Sequence, residues 1–424
     1  MPPGPSKFDQ FVSQADNIRK LIITLFVVLA FFIVVPSIFI HYNKRQLLIY
    51  PLEIPTCLKA QGYTGQIVSS LVLDHIHQIK SIGSSYYSSQ NIEMPSWADG
   101  IDEYKDAIGN ETFTQVNGFI RFLFNKNIQT GTGEIINPVS DSVKINFRIG
   151  DDVMTVARTV PQVNFLVDTT AEFVLEKTGP YELAGYYLLT NQREKSLRIC
   201  QKLLNRINKD KDRDDYALAL MLRGSSYLEL DFNASPNNII AQNILKESLN
   251  YVKKRNPWLI YNNLAIAYYY EKNWSEAAKM YGKSLRADSL EFGTCMNYAN
   301  LLRTEYESGY QTNIKQIDSA IYFYNKAISL NKNDKRPYLN LVFGLYDIGK
   351  NDAAEEIITK LKEMDPTDPK TYYFIAQKQD QVHINDKAII NYSLAAQFSK
   401  NVKLKGLINH KIDSLKSLTS VGRK

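Results

Sequence analysis

The sequence predicts a mainly α-helical chain of three unlike parts: a single transmembrane helix near the amino end, a small α+β module, and a long α-solenoid of helix-turn-helix repeats. Three observations carry this. Residues 21–40 form a run of twenty without a charge. Between Val143 and Ile149 apolar and polar residues alternate, which is the period of a strand. Ala320, Ala354 and Ala388 stand 34 residues apart, with Tyr324, Ile358 and Tyr392 four positions on and Ala327, Leu361 and Ala395 seven positions on. A 34-residue period of this kind marks an array of helix pairs. Where two helices cross closely, only a small side chain admits the neighbour's backbone, and a large one a turn later fills the space above it.

Taken in chain order, the first element is the apolar run. At about 1.5 Å per residue it spans about 30 Å, the thickness of a bilayer's hydrocarbon core. A cleaved signal peptide has an apolar stretch of only ~7–15 residues, whereas this run is longer and ends in His41, Tyr42, Asn43, Lys44 and Arg45. The expectation is a retained single-pass anchor in the inner (cytoplasmic) membrane, contacting the lipid bilayer through residues 21–40. Lys7, Arg19 and Lys20 before it balance Lys44, Arg45 and Lys59 after it, so charge leaves the orientation open. A short amino tail (1–20) favours placing the rest outside the cytoplasm. Phe8, Phe11, Val12, Ala15 and Ile18 lie at helical spacing in that tail, as in a helix lying along a membrane surface.

Residues 50–178 read as the α+β module. Thr64 can cap a helix from Gly65 to about Lys80, with Ile67, Val68, Leu71, Val72, Ile76 and Ile79 on its apolar face. A short strand is expected at 92–94 and a second helix over 112–125. The alternating strand 143–149 turns at Gly150, Asp151 and Asp152, and 153–160 returns as its hairpin partner. A helix over 165–177 closes the module. Helices followed by a hairpin also allow a winged helix with Arg121 and Lys126 near nucleic acid. The apolar character of that helix argues against it.

From about residue 179 to 400 the repeats follow. The clearest copy, 337–366, holds Leu341, Leu345, Gly349, Ala354 and Pro366. Others contain Tyr261, Leu264, Ala265, Tyr268, Ala277, Ala278, Tyr281 and Leu285; Tyr298, Ala299, Leu302, Ala320 and Tyr324; and Tyr372, Ile375, Ala376, Ala388, Tyr392 and Ala395. Two weaker copies precede them, one from Tyr181 to Ser196 and one around Gly224, Tyr227 and Ala241. About nine extra residues, from Glu305 to about Asn313, read as a loop inserted between two helices. These residues resemble the tetratricopeptide repeat family over roughly 178–400, in five to six copies. The resemblance implies a right-handed solenoid whose inner wall comes from the first helix of each repeat. It also implies a protein or peptide partner bound there. Carried over position by position, the candidate partner-binding residues are Asn262, Tyr269, Asn300, Arg303, Arg336, Phe343, Tyr346 and Tyr373. Tyrosines offer stiff amphipathic contact area and an arginine can hold a carboxylate bidentately. The alternative is that the tyrosines fill the solenoid core.

The formal charge of +6 resides in residues 400–424, where Lys400, Lys403, Lys405, Lys411, Lys416, Arg423 and Lys424 face Asp413. Leu404, Leu407, Ile408, Ile412, Leu415 and Leu418 lie at helical spacing in 401–424. This is the pattern of a basic amphipathic helix capping the array; an anionic surface is the other partner it allows.

Catalytic patterns are absent from the sequence. His75 and His77 are two apart on a helix, about 200° around its axis, and cannot share a metal from one face. Gly131 and Gly133 have no Gly-Lys-Ser/Thr after them, so the phosphate cradle is missing and a turn is expected. Cys57, Cys200 and Cys295 show no metal or disulfide spacing. No cofactor, metal or catalytic residue is expected. The sequence points to a membrane-anchored, non-catalytic adaptor. The alternative is a membrane-anchored regulator whose 50–178 module binds nucleic acid while the repeats sense a partner.

Overall fold

The computed structural model describes residues 46–86, 128–139, 142–159, 163–228, 235–310 and 313–421. They fall into two compact units: one takes the described residues up to 83 and from 128 to 183, the other 84–86 and 184–421.

In the first unit, β1 (Gln46–Ile49) is followed by the short α1 (Thr56–Lys59) and by α2 (Gly65–Ser85), then β2 (Ile128–Val139), β3 (Ser142–Ile149), β4 (Asp152–Thr159) and α3 (Val163–Thr178). The sheet order is β1-β2-β3-β4. β1 runs parallel to β2 and the other pairs are antiparallel. Parallel neighbours require a crossover, and α2 lies in it. Ser69 ties α2 to the segment after β1, accepting from Leu52 N at 3.1 Å and donating to Tyr50 O at 2.9 Å. Thr64 caps α2 through Ile67 N, and Val68, Val72, Ile76 and Ile79 are buried while Ile67 is exposed. On β3 the alternation has its expected effect: Val143, Ile145, Phe147 and Ile149 are all buried. Phe147 meets Phe173 of α3 edge-on at 6.5 Å. On the other face Asn146 donates to Glu134 and accepts from Thr155, both at 2.9 Å, linking three strands.

Gly131 and Gly133 do not form a turn. They lie inside β2, opposite Ile149 and Phe147. A Cβ on Gly131 would stand 2.6 Å from the Phe147 ring and one on Gly133 would stand 2.5 Å from Asn146 O. The glycines are there so that the neighbouring strand and its ring can approach. The expected strand at 92–94 and helix over 112–125, with Arg121 and Lys126, lie outside the described residues.

The transmembrane part of the predicted fold class is corrected. Among the described residues no helix is long and apolar enough to cross a membrane. The two longest, α2 and α16 (Val402–Val421), carry Asp74, His75, His77 and Lys80 in one case and Lys403, Lys405, Lys411, Asp413 and Lys416 in the other. The inner-membrane, single-pass placement, the bilayer contact and the extracytoplasmic orientation built on them are not supported. The run 21–40 that suggested them, and the tail before it, lie outside the described residues.

Helix pairs make up the second unit: α4 (Pro180–Leu189, its first turn belonging to the first unit) with α5 (Arg193–Arg206), α6 (Arg213–Tyr227) with α7 (Pro236–Leu249), and α8 (Trp258–Tyr270) with α9 (Trp274–Ala287). They continue with α10 (Phe292–Glu307) and α11 (Ile314–Leu330), α12 (Lys335–Asp347) and α13 (Asn351–Met364), and α14 (Pro369–Gln381) and α15 (Asn385–Phe398), after which α16 follows. The seams are as the period demands. Ala277, Ala320, Ala354 and Ala388 are fully buried, each with Tyr281, Tyr324, Ile358 or Tyr392 buried one turn later. Where serine takes a small position it satisfies a carbonyl of the facing helix: Ser248 donates to Ala217 O at 2.7 Å and Ser284 to Trp258 O at 2.8 Å. Gly224 serves the same end, since a Cβ there would meet Leu245 Cγ at 2.7 Å. Every first helix but α6 ends in a left-handed residue, Asn191, Lys272, Gly309, Gly349 or His383, which turns the chain sharply into the second helix.

The insertion is not all loop, since the helices that flank it are longer than their counterparts. α10 has 16 residues where α8 has 13, and α11 has 17 where α9 has 14. The insertion lengthens both members of one pair by about a turn, and Gln316 donates to Glu305 across the added turns. Helix α16 packs Ile408, Ile412 and Leu415 against Tyr372, Ala376, Tyr392 and Ala395. Leu404 joins them partly buried, whereas Leu407 is 64% exposed.

Candidate functional site

The first helices of successive pairs are joined by a row of polar side chains whose chemistry changes along the chain. At the α6–α8–α10 end it is neutral. Asn263 donates to Ser225 at 2.7 Å and to the Tyr86 hydroxyl at 3.2 Å, Asn262 donates to Asn263 at 3.2 Å, and Asn297 donates to Asn262 at 3.3 Å. Tyr269 shares a 2.9 Å hydrogen bond with Thr304, and burial pushes its hydroxyl above the ordinary tyrosine range. Next, Asn300 accepts from Tyr324 at 2.8 Å and from Asn340 at 2.9 Å.

At the α10–α12–α14 end the row is charged. Arg303 pairs with Glu307 at 2.7 Å and stands 3.8 Å from Asp347. Lys378 pairs with Glu307 at 3.2 Å and with Asp347 in direct contact. The Asp347 and Lys378 side chains are only 7% and 6% exposed, while Glu307 is 33% exposed. Charges this deep persist only when paired and hydrogen-bonded. The Arg303 guanidinium lies 5.5 Å over the Phe343 ring. Arg303 Nε and Asp347 Oδ2 are buried without a hydrogen-bond partner among the described residues.

A hollow of about 500 Å³ opens beside this cluster, lined by Arg303, Glu307, Phe343, Phe374, Gln377, Lys378, Asp380, Gln381, His383, Tyr392 and Lys411. A second, of about 370 Å³, lies against Tyr306, Glu307, Asp347, Lys378 and Gln381. Glu307, Lys378 and Gln381 line both. Phe374 is an exposed ring, and Phe343 and Tyr392 join it among the charged and amide side chains of the lining.

Of the residues expected from the sequence, Arg303 and Phe343 line the larger hollow. Asn262 is buried in the amide row, Tyr269 is half-buried beside it, and Asn300 sits between the two ends. Tyr346 faces the interior, donating to Glu355 at 2.7 Å and accepting from Gln379 at 2.9 Å. Burial and the Glu355 carboxylate push its hydroxyl well above the tyrosine range. Arg336 is exposed, clamped to Asp334 and set over Phe292. Tyr373 accepts from Gln377 at 3.2 Å and packs on Tyr392 at 5.9 Å. Glu307, Asp347, Phe374, Lys378 and Gln381 were missed. One signal was available: Asp347 and Gln381 are 34 apart, as are Phe343 and Gln377, so both pairs fall on one row of the array.

Among the described residues no group of three or more histidine, cysteine or acidic side chains could hold a metal ion. His75 pairs instead with Asp168 at 3.4 Å. Burial pushes the Cys200 thiol up to about 12 and that of Cys295 to about 11, which keeps both protonated and poorly nucleophilic.

No protein-family model matches the chain, and no curated protein matches it. Solved structures do. One is YrrB, described as a TPR protein with an unusual peptide-binding site, at 17% identity, covering 50% of this chain and 97% of that one with a TM-score of 0.36. Another is PilF of Pseudomonas aeruginosa, at 21% identity over 49% of this chain and 87% of that one, with a TM-score of 0.37. A thermophilic TPR protein of Thermus thermophilus is 14% identical over 51% and 97% of the two chains, with a TM-score of 0.35. In its own helix pairing and small-residue seams the second unit is a TPR-like α-solenoid.

Proposed function

We propose that the protein is an adaptor that holds a segment of a partner protein against the first helices of its last three pairs. The observation that carries this is the hollow of about 500 Å³ between α10, α12 and α14, where an exposed phenylalanine, two glutamines and a charged floor converge. Apolar contact with a few placed polar groups is the composition of a recognition site. Its polar groups stand on helices already packed in one array, which limits the order to be gained on binding. Arg303, Phe343, Phe374, Gln377 and Gln381 are the contact residues in this proposal.

A photo-crosslinking amino acid placed at position 374, and separately at the exposed Tyr322 of α11, tests it in cells that make the protein. Position 374 is expected to give discrete protein adducts and position 322 none. Adducts of equal yield from both positions, or none from 374, would overturn the reading.

A further inference from the structure

The inference that follows rests on the reading above and names the chemistry of the bound segment. Beneath the hollow two cations share two carboxylates of unequal standing. Asp347 is locked under Lys378 with a side chain 7% exposed, whereas Glu307 is 33% exposed. Glu307 is the last residue of α10, on the turn that the insertion adds, and terminal turns open at little free energy. If it swings out, Arg303 and Lys378 keep only one negative charge between them. The guanidinium is held over Phe343 and already binds the Glu307 carboxylate through Nη1 at 2.7 Å, so it is preset to receive a carboxylate in that place. The remaining acid of the larger hollow, Asp380, is tied to Lys411 at 2.9 Å. An incoming cation would therefore meet Arg303 and Lys378 at close range, and an incoming anion would replace Glu307.

We propose that Glu307 is an internal stand-in for a carboxylate carried by the partner. The hollow takes a protein segment with an acidic side chain next to a large apolar one, and the segment seats by displacing Glu307. The acid belongs to a side chain within the segment, since Glu307 lines both hollows, of about 500 Å³ and 370 Å³, and together they leave room for chain before and after the acid. The apolar neighbour rests on Phe374 and Phe343. Helical lengthening by the insertion thus has a role: it supplies the competitor that sets how tightly a ligand must bind.

The test uses the full chain and fluorescence anisotropy with labelled, carboxy-terminally amidated peptides of alternating phenylalanine and glutamate, and their glutamine counterparts. The wild-type chain is expected to bind the glutamate peptide, more weakly as salt rises. Glu307→Gln is expected to tighten that binding about five- to tenfold, the scale of one exposed ion pair to a few tenths beyond it, without changing the glutamine peptide. Thermal melting checks that the variant is folded. Tighter binding of the glutamate peptide alone supports the proposal, and a peptide with a free carboxy terminus that gains no more than the amidated one assigns the acid to a side chain. Equal binding of both peptides, abolished by Phe374→Ala, would sink the carboxylate inference and leave the adaptor reading standing. Unchanged or weaker binding in Glu307→Gln would sink it too. No binding of either peptide, together with no crosslink from position 374, would sink both.

Discussion

The two ends of the polar row solve one problem in different ways. Between α6 and α10 the groups are amides and hydroxyls, which need only donors and acceptors at about 3 Å. Between α10 and α14 they are full charges, which need neutralising as well. A neutral row can close on itself and vanish into the core, as Asn262 and Asn263 do. A charged one stays near an opening, and the two hollows lie there. The difference teaches that the amide end closes pairs onto one another, while the charged end leaves open space beside it, which is where the proposed partner would take part.

The sharpest way to break this comparison is to remove a charge. Asp347→Ala leaves Lys378 buried beside a single accessible partner, and stability to urea is expected to fall by about 3–5 kcal/mol. A loss no larger than that of a neutral substitution would show that the two ends do not differ. Overpacking the seams tests the opposite point, that they are alike at both ends. Ala241→Leu and Ala354→Leu are each expected to lower stability by about 1–3 kcal/mol, within error of one another. At the amide end Asn263→Ala leaves the Asn262 amide nitrogen without its acceptor and takes a donor from the Ser225 hydroxyl, for an expected loss of about 1–2 kcal/mol, readable in the same urea titration.

Two smaller effects sharpen it further. Asp214 anchors the connection before α8, accepting from the backbone of Lys253, Lys254 and Arg255 at 2.8–3.3 Å. Burial raises its pKa, but those donors outweigh it and hold the carboxyl below the usual range. A depressed folded value means the unfolded chain takes up the proton first as pH falls. The stabilisation is therefore full above the ordinary aspartate range and is lost as pH drops through the lower, folded value. Asp214→Asn should lose that modest stabilisation at neutral pH and so flatten the acid limb of a stability profile below about pH 4, where variant and wild type converge. Smallest of all, Lys272 holds a left-handed backbone at φ 60°, and Lys272→Gly is expected to raise the melting temperature slightly, by about 0.5 kcal/mol of stability.

Legibility followed periodicity. Ala320, Ala354 and Ala388 could be placed in seams because a close crossing tolerates one residue size, and β3 because its buried residues alternate. Lys378 escaped notice for the same reason: its repeat position holds a buried side chain, and only carboxylates brought by other helices, Asp347 in direct contact and Glu307 from 71 residues away, make a lysine tolerable there. Glu307 escaped because an insertion breaks the register that would have aligned it. Gly131 and Gly133 were misjudged because glycine marks both turns and close approach, and the approaching Phe147 is known only once β2 and β3 pair. The apolar run at 21–40 drew an expectation of a membrane span that none of the described helices meets.

By itself, the sequence determined that helix pairs repeat every 34 residues, which side chains lie in their seams, and that a basic helix follows the last pair. Those are local matters of size and spacing, which each short stretch states for itself. Tertiary structure decided that the insertion lengthens the two helices beside it, that two cations share Glu307 and Asp347, and that a hollow opens beside them. These depend on pairings between residues 31 to 71 positions apart in the chain, Lys378 with Asp347 and with Glu307, and a charge becomes bearable in a protein interior only after such a partner has arrived.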